Sequence, residues 1–507
     1  MLAKILGFAL IGIKGVPISV EVDVNNGLPA FDIVGLADTA VKESKERIRS
    51  ALKNSGFMVP TRKITANLAP ADVKKEGSTL DLALAVGVLK ASGQLIAETD
   101  NVVFLGELSL DGSMRRVNGV LPTLISALGE GFTKFVLPKD NQVEASYVHG
   151  IEVIAVENLK QVVDHFSGLN VLEPLVQHEF VSALGKNVYD SDMSLVKGQA
   201  VAKRALEVAV SGGHNILFVG APGTGKTMLA KCLPTIMPDM TFAEALETTK
   251  IHSVAGMLKD SDGIVFTRPF RSPHHTATTV AMTGGAASLK PGEISLAHNG
   301  VLFLDEMPEY NRSTLEALRQ PLEDGIISVS RATGKVDYPA NFMLCGSMNP
   351  CPCGNYGSPD KVCTCSPAQI ARYKAKISGP LLDRIDIQVE VDSVKYTELA
   401  NDEKSETSQT IRARVNRTRL IQKKRFEHDG ILTNADMGEK QLKKYCCLSK
   451  ECEDVLKNAY DTLHLSPRAR SRIIKVARTI ADMELFDDIR TEHILEAISY
   501  RHSDGML

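Results

Sequence analysis

Hydrophobic and polar positions alternate over Ile18, Val20, Val22 and Val24, with Ser19, Glu21 and Asp23 between them. A period of two marks a half-buried strand. The apolar run from Ile5 to Ile13, bounded by Lys4 and Lys14, predicts the other arm of a β-hairpin turning near Gly15 and Pro17. That run is too short to span a bilayer, and no small-x-small cleavage site follows it, so it does not read as a signal peptide. A polar-apolar helix over 42–54, a buried helix over 80–91 and strand patterns at 102–108, 135–138 and 153–156 predict an α/β or α+β domain over residues 1–172. Residues 173–195 lack a clear period and read as a linker. Strand and helix patterns alternate over 196–391. Beyond 391 the strand signal disappears, and 392–507 reads as helical, most clearly over 469–483 and 491–500.

Composition narrows the class. The chain has 507 residues, 44% hydrophobic and 23% charged, with a formal net charge of −3. Those values describe a soluble, multi-domain globular protein and exclude a wholly basic nucleic-acid binder, though not a local basic groove. The lack of tryptophan and the 5% aromatic content argue against a base-stacking platform of the single-strand-binding type. Nine cysteines, an odd number at uneven spacing, fit free thiols or metal ligands in a reducing compartment. The expected location is the cytoplasm, with no membrane association.

The strongest chemical signal is Gly220-Ala221-Pro222-Gly223-Thr224-Gly225-Lys226-Thr227, which matches G-x-x-x-x-G-K-[ST] in full. A buried-strand pattern at 215–219 precedes it. A helix from Met228 to Leu233, ended by Pro234, is expected after it. Glycines let backbone N–H groups close around phosphate oxygens, and the helix N-terminus favours negative charge. Gly220 to Met228 are therefore the candidate ATP-binding residues. Within them Lys226 would reach the β- and γ-phosphates and Thr227 would ligate Mg²⁺. The run Val301-Leu302-Phe303-Leu304-Asp305-Glu306 predicts a central strand delivering two carboxylates at its end. Asp305 would hold Mg²⁺ through water, and Glu306 would polarise the attacking water.

Three further stretches carry candidate chemistry. Residues 267–292 hold Arg268, Arg271, His274 and His275 with no acid, and could face a polyanion or be an ordinary surface loop. Cys351-x-Cys353 and Cys363-x-Cys365 offer four thiolates within fifteen residues, with Tyr356, Gly357, Ser358 and Pro359 as the turn between the pairs. Such a set suits tetrahedral Zn²⁺; the alternative is four reduced thiols in a surface loop. Arg412, Arg414, Arg417, Arg419, Lys423, Lys424 and Arg425 form a basic helix that could neutralise phosphates or be a solvated face. Arg470, Arg472, Lys475 and Arg478 make a second such face. No pattern for sequence-specific base reading is present.

The segments Gly285 to Glu309, Ser347-Met348-Asn349-Pro350-Cys351-Pro352-Cys353-Gly354 and Gly379-Pro380-Leu381-Leu382-Asp383-Arg384-Ile385-Asp386 resemble the YifB/ComM family of Mg-chelatase-like AAA+ ATPases. The resemblance covers nearly the whole chain. It implies an α/β fold: a Lon-protease-like (ribosomal S5-like) α+β domain, a central P-loop domain with a helix-2 insert, and a C-terminal helical lid. It places Asn349 at the first sensor, Arg384 at the arginine finger acting on a neighbour's ATP, and Arg468 at the second sensor. The insert and a hairpin over 327–339 would point into the pore of a ring. Arg384 could instead form a structural ion pair with Asp383 or Asp386. In the N-terminal domain the catalytic serine of a Lon-type dyad falls at or beside Thr79, after Ser78, and the lysine falls near Leu121. Neither dyad residue is matched, so no peptidase activity is expected.

The resemblance therefore implies an Mg²⁺-dependent ATPase forming a homo-oligomeric ring, a hexamer, on branched or single-stranded DNA. Its work would be branch migration in recombination and natural transformation. The alternatives are a metal-insertion motor, a protein-remodelling ATPase, and a scaffold that binds ATP as a switch.

Overall fold

The computed structural model describes residues 2–179, 189, 191–259, 263–285, 289–331, 334–357, 361–394, 405–463 and 465–501. Much of the expected linker, and Ser358 and Pro359 of the cysteine turn, lie outside the described residues.

The N-terminal region is a mixed seven-stranded sheet. Its spatial order is Ala30–Val34, Lys63–Ala69, Lys14–Asn25, Leu2–Ile11, Val102–Phe104, Lys134–Pro138 and Glu152–Val156. The first hairpin is tighter than its sequence suggests. Ile11 pairs with Lys14, so the turn falls at Gly12 and Ile13, and Pro17 lies inside the strand opposite Phe8. Gly12 supplies the positive φ of 63° that a two-residue turn demands. Proline is tolerated there because the strand's other neighbour starts pairing only at Ser19. The helix Asp81–Ala91 is buried along almost its whole length against the sheet.

The central region is a parallel five-stranded sheet in the order Phe270–Arg271, Val301–Leu304, Met343–Met348, Ile216–Val219 and Ile387–Glu390. The strands at 216–219, 301–304 and 343–348 are buried throughout, as expected of a sheet covered on both faces. One face shares a core with the helices Ala200–Gly212 and Lys226–Ile236 and with the C-terminal helices. The other face packs on a two-stranded hairpin, Ile326–Arg331 with Gly334–Pro339. The helix after the phosphate loop runs on past Pro234, which lies inside it, to Ile236.

The C-terminal region is helical: Ser408–Arg425, Glu439–Tyr445, Lys450–Thr462, Pro467–Met483 and Thr491–Ser499. Among the described residues no helix is long and apolar enough to cross a membrane. The N-terminal region is joined to the central one through polar contacts. Ser253 Oγ donates to buried Glu144 at 3.0 Å and accepts from the Gly119 N–H at 3.1 Å.

Candidate ATP-hydrolysis site

In a parallel sheet the strand ends that carry loops into helices are the natural ligand edge. Here that edge gathers Lys226, Thr227, Asp305, Glu306 and Asn349. Gly223 and Gly225 take φ of 83° and 92°, backbone that other residues adopt only with strain. Gly220 has no room for a side chain, since a Cβ would stand 2.3 Å from the Val391 carbonyl oxygen. The Lys226 Nζ donates to the Gly220 and Ala221 carbonyls at 2.7 and 2.8 Å and to Asn349 Oδ1 at 3.3 Å. Burial lowers its pKa, while Asp305 and Glu306 act against that shift. Thr227 Oγ1 donates to Asp305 Oδ2 at 2.9 Å, so a hydroxyl and a carboxylate already converge as a divalent cation needs. Met228 follows at the first helical turn and is 40% exposed.

Glu306 sits at φ 51°, uncommon for a residue with a side chain, and its carboxylate is exposed. Left-handed backbone of this kind costs about 1–3 kcal/mol and is retained where a group must be aimed. His275 Nδ1 lies 3.9 Å from Glu306 Oε2. Two residues that the linear motifs did not single out complete the edge. Ser347 donates a short hydrogen bond to Asp305 Oδ1, and its hydroxyl accepts from the Glu306 N–H at 3.2 Å. Only the sheet order, which sets its strand beside the one that ends at Asp305, brings it to the site. Gln199 Nε2 reaches the Thr224 carbonyl at 3.3 Å and the Asp392 carbonyl at 2.6 Å, bracing the phosphate loop from behind.

Arg384 and Arg468 are elsewhere. Arg384 precedes the strand Ile387–Glu390, and its carbonyl accepts from Asn215 Nδ2 at 3.0 Å, at the start of the strand whose far end opens the phosphate loop. The strand Ile216–Val219 separates them, about 13 Å at 3.3 Å per residue. The Arg384 side chain, largely buried, donates to the Pro380 carbonyl at 2.8 Å and forms a short ion pair with Glu323. Arg468 Nη2 lies 4.0 Å from the same glutamate. Both line a cavity of about 430 Å³ with Arg472 and Lys475. The alternative pairing of Arg384 with Asp386 does not form. Burial disfavours ionised Asp386, but Arg472 and His214 hold its carboxyl well below the usual range.

The basic stretches change meaning in three dimensions. In the insert, Arg268 donates to the Pro238 and Asn299 carbonyls and pairs with Glu244 at 3.1 Å, and Arg271 pairs with Glu293 at 2.6 Å. In the helix Ser408–Arg425, Arg412 bonds the Thr235 carbonyl, Arg414 pairs with Glu207 and Glu406, Arg419 donates to the Val210 carbonyl, and Arg425 pairs with Asp482. Arg417, Lys423 and Lys424 are the exposed ones. Of the two alternatives left open for these stretches, the structure favours the one without phosphate for these arginines other than Arg417: carboxylates and carbonyls distant in the linear sequence already hold them. Of the second basic face, Arg472, Lys475 and Arg478 are likewise bound within the chain.

The cysteines converge. Cys351 Sγ lies 3.3 Å from Cys353 Sγ and 3.7 Å from Cys363 Sγ, Cys353 and Cys363 are 3.6 Å apart, and the four ligand atoms, Cys365 included, fall within 4.8 Å of one another. Four sulfurs about 2.3 Å from a tetrahedral Zn²⁺ are about 3.8 Å apart, so the set fits the metal. Backbone N–H groups of Asn355 and Thr364 lower the pKa of the Cys353 thiol, whereas at Cys363 and Cys365, against a backbone hydrogen bond, desolvation and the neighbouring sulfurs raise it. In the N-terminal region Ser78 Oγ makes a short hydrogen bond to Glu107, and Leu121 is fully buried.

A parallel P-loop sheet with paired acidic residues at its ligand edge and a helical C-terminal region defines a P-loop ATPase. Comparison with known proteins agrees. Residues 192–399 match the family model "Magnesium chelatase, subunit ChlI", 20–141 match "Subunit ChlI of Mg-chelatase", and 405–501 match the C-terminal model of the same subunit. The chain is 42% identical over 501 residues to the uncharacterized protein YifB of Escherichia coli, covering 98% of this chain and 97% of that protein. It is 42% identical over 510 residues to competence protein ComM of Haemophilus influenzae, covering 99% and 97%. Over 124 residues it is 29% identical to Lon protease 2 of Bacillus subtilis, covering 24% and 22%. The chain belongs to the YifB/ComM family.

Proposed function

We propose that this ATPase is an Mg²⁺-dependent motor that works as a homo-oligomeric ring, a hexamer, and drives branch migration of DNA in recombination and natural transformation. The observation that carries the reading is the division of the hydrolysis groups. Lys226, Thr227, Asp305, Glu306 and Asn349 share one edge of the sheet, whereas Arg384 lies about one strand length away at the other. An arginine so placed serves hydrolysis only at a neighbour's nucleotide. We assign Arg468 to the same face, since it shares Glu323 with Arg384.

In this mechanism Lys226 holds the β- and γ-phosphates, and Gly220–Met228 wrap the nucleotide. Thr227 and Asp305 hold Mg²⁺, which when bound offsets phosphate charge. Glu306, aimed by its backbone and by Ser347, takes the proton of the attacking water. Asn349 reads the γ-phosphate and passes its state to Lys226.

The DNA assignment rests on the competence role printed for the ComM relative. Among the described residues, Lys290 in the insert and Lys335 on the hairpin are exposed cations that could meet phosphate without base-specific readout. We read residues 1–172 as a Lon-protease-like scaffold without peptidase activity, 173–195 as the linker, 196–391 as the ATPase domain with its helix-2 insert, and 392–507 as the lid, in a cytoplasmic protein. Cys351, Cys353, Cys363 and Cys365 hold a structural Zn²⁺. The test is ATP turnover with and without a four-way DNA junction. Stimulation that falls steeply with salt is expected. Turnover indifferent to DNA would contradict the DNA assignment.

A further inference from the structure

The four-cysteine loop is fastened to the nucleotide site at three points. Upstream, Cys351 follows Asn349 by two residues, and Asn349 Oδ1 accepts from the Lys226 ammonium at 3.3 Å. In the middle, Gly354 packs on the phosphate loop itself. It takes φ of 79°, and a Cβ there would stand 2.5 Å from Pro222 Cδ and 2.8 Å from Pro222 Cγ. Downstream, Cys365 runs into Ser366, which caps the helix Pro367–Lys374 by accepting from the Gln369 N–H. That helix returns Tyr373, nearly buried, to the backbone of Asn349, and sets Lys374 Nζ 5.5 Å from the Tyr356 ring.

Little besides the sulfurs organises the loop. From Cys351 to Cys365 the described residues form no helix or strand, and Cys351 is the only buried hydrophobic residue among them. A hydrogen bond from the Tyr356 N–H to Cys351 Sγ at 3.3 Å folds the chain around the cluster. The position of Gly354 on Pro222 is thus set by whatever holds the four sulfurs together.

We propose that Zn²⁺ in this cluster and nucleotide in the phosphate loop bind with positive coupling. The inference rests on the zinc reading above and extends it. With the sulfurs drawn together, Gly354 backs Pro222 and Asn349 is held against Lys226, so the phosphate loop is kept in its receptive form. With the sulfurs released, both supports loosen. Coupling is reciprocal: the factor by which zinc tightens nucleotide binding is the factor by which nucleotide tightens zinc.

The experiment uses the full-length protein. Metal analysis first gives the zinc content, which decides the zinc reading alone: one Zn²⁺ per chain supports it, and none overturns both it and the coupling. Zinc release to a chromogenic chelator is then timed with and without Mg²⁺ and a non-hydrolysable ATP analogue. Slowing by about fivefold or more is expected, at the lower end of ordinary coupling between sites. Protection should vanish in Lys226→Ala, which cannot hold the phosphates. Gly354→Ala keeps all four sulfurs, so it should retain zinc but lose most of the protection. Zinc-depleted protein should bind a fluorescent nucleotide correspondingly more weakly. Equal release rates with and without analogue, in protein that carries zinc and binds nucleotide, would overturn the coupling and leave the zinc site standing.

Discussion

The two edges of the five-stranded sheet differ in what they lack. At the phosphate-loop edge Lys226 bonds the Asn349 amide, the Thr227 and Ser347 hydroxyls bond the Asp305 carboxylate, and Glu306 follows beside them, with no arginine among these groups. The opposite edge has Arg384 and Arg468 around Glu323, but no phosphate loop. In the proposed reading each is half of a phosphoryl-transfer site. If Arg384 is the proposed arginine finger, the sheet keeps it apart from its own chain's phosphate loop, and completion would come from contact between chains. A finger supplied by the neighbour would make hydrolysis a report on assembly, as the proposed ring requires.

The comparison can be broken from either side. The largest effect is expected for Arg384→Ala, which should lower ATP turnover by about a thousandfold or more while leaving nucleotide affinity nearly unchanged. A comparable loss of affinity would mean that Arg384 serves its own chain's site. Next, Glu306→Gln should cost about 10²–10⁴ in kcat with nucleotide binding and assembly intact, as measured by steady-state turnover beside equilibrium binding.

A third variant sharpens the contrast between the working cations and the structural ones. Asp482, buried, accepts from Arg425, from Arg478 at 3.0 Å and from Asn434 at 2.9 Å. Asp482→Ala removes the carboxylate partner of buried Arg478 and half-buried Arg425 and should destabilise the C-terminal helices by about 3–5 kcal/mol in denaturant unfolding. The smallest effect is expected at Lys423 and Lys424. Replacing both with alanine should shift stability by less than about 0.5 kcal/mol, since neither is tied into the fold.

The same contrast explains what the sequence disclosed. The phosphate loop and Asp305-Glu306 were legible because each is a short contiguous motif with a strand immediately before it. The buried helix over 81–91 and the C-terminal helices were legible from local periodicity. The basic helix was not, because its meaning depends on Glu207 and Asp482, which lie about 207 and 57 residues away in sequence from their partners. Ser347 and Glu323 were hidden for the same reason. A serine at a strand end and a glutamate before a hairpin carry no signal until the sheet order sets them beside Asp305 and Arg384. The cysteine cluster stands between these cases: its spacing suggested a metal, but its contact with Pro222 emerged only from the fold.

The most direct test of the divided site is complementation between two inactive variants. Arg384→Ala and Glu306→Gln proteins should each be nearly inactive alone. Mixed in equal amounts under assembling conditions, they form some interfaces that pair an intact Glu306 on one subunit with an intact Arg384 on its neighbour. With random mixing in a head-to-tail ring, roughly a quarter of the interfaces should be complete. The account predicts that turnover recovers well above the average of the two single variants, with independent sites approaching that fraction of the unmodified protein. Turnover that stays at that average, in mixtures shown to co-assemble, would contradict it.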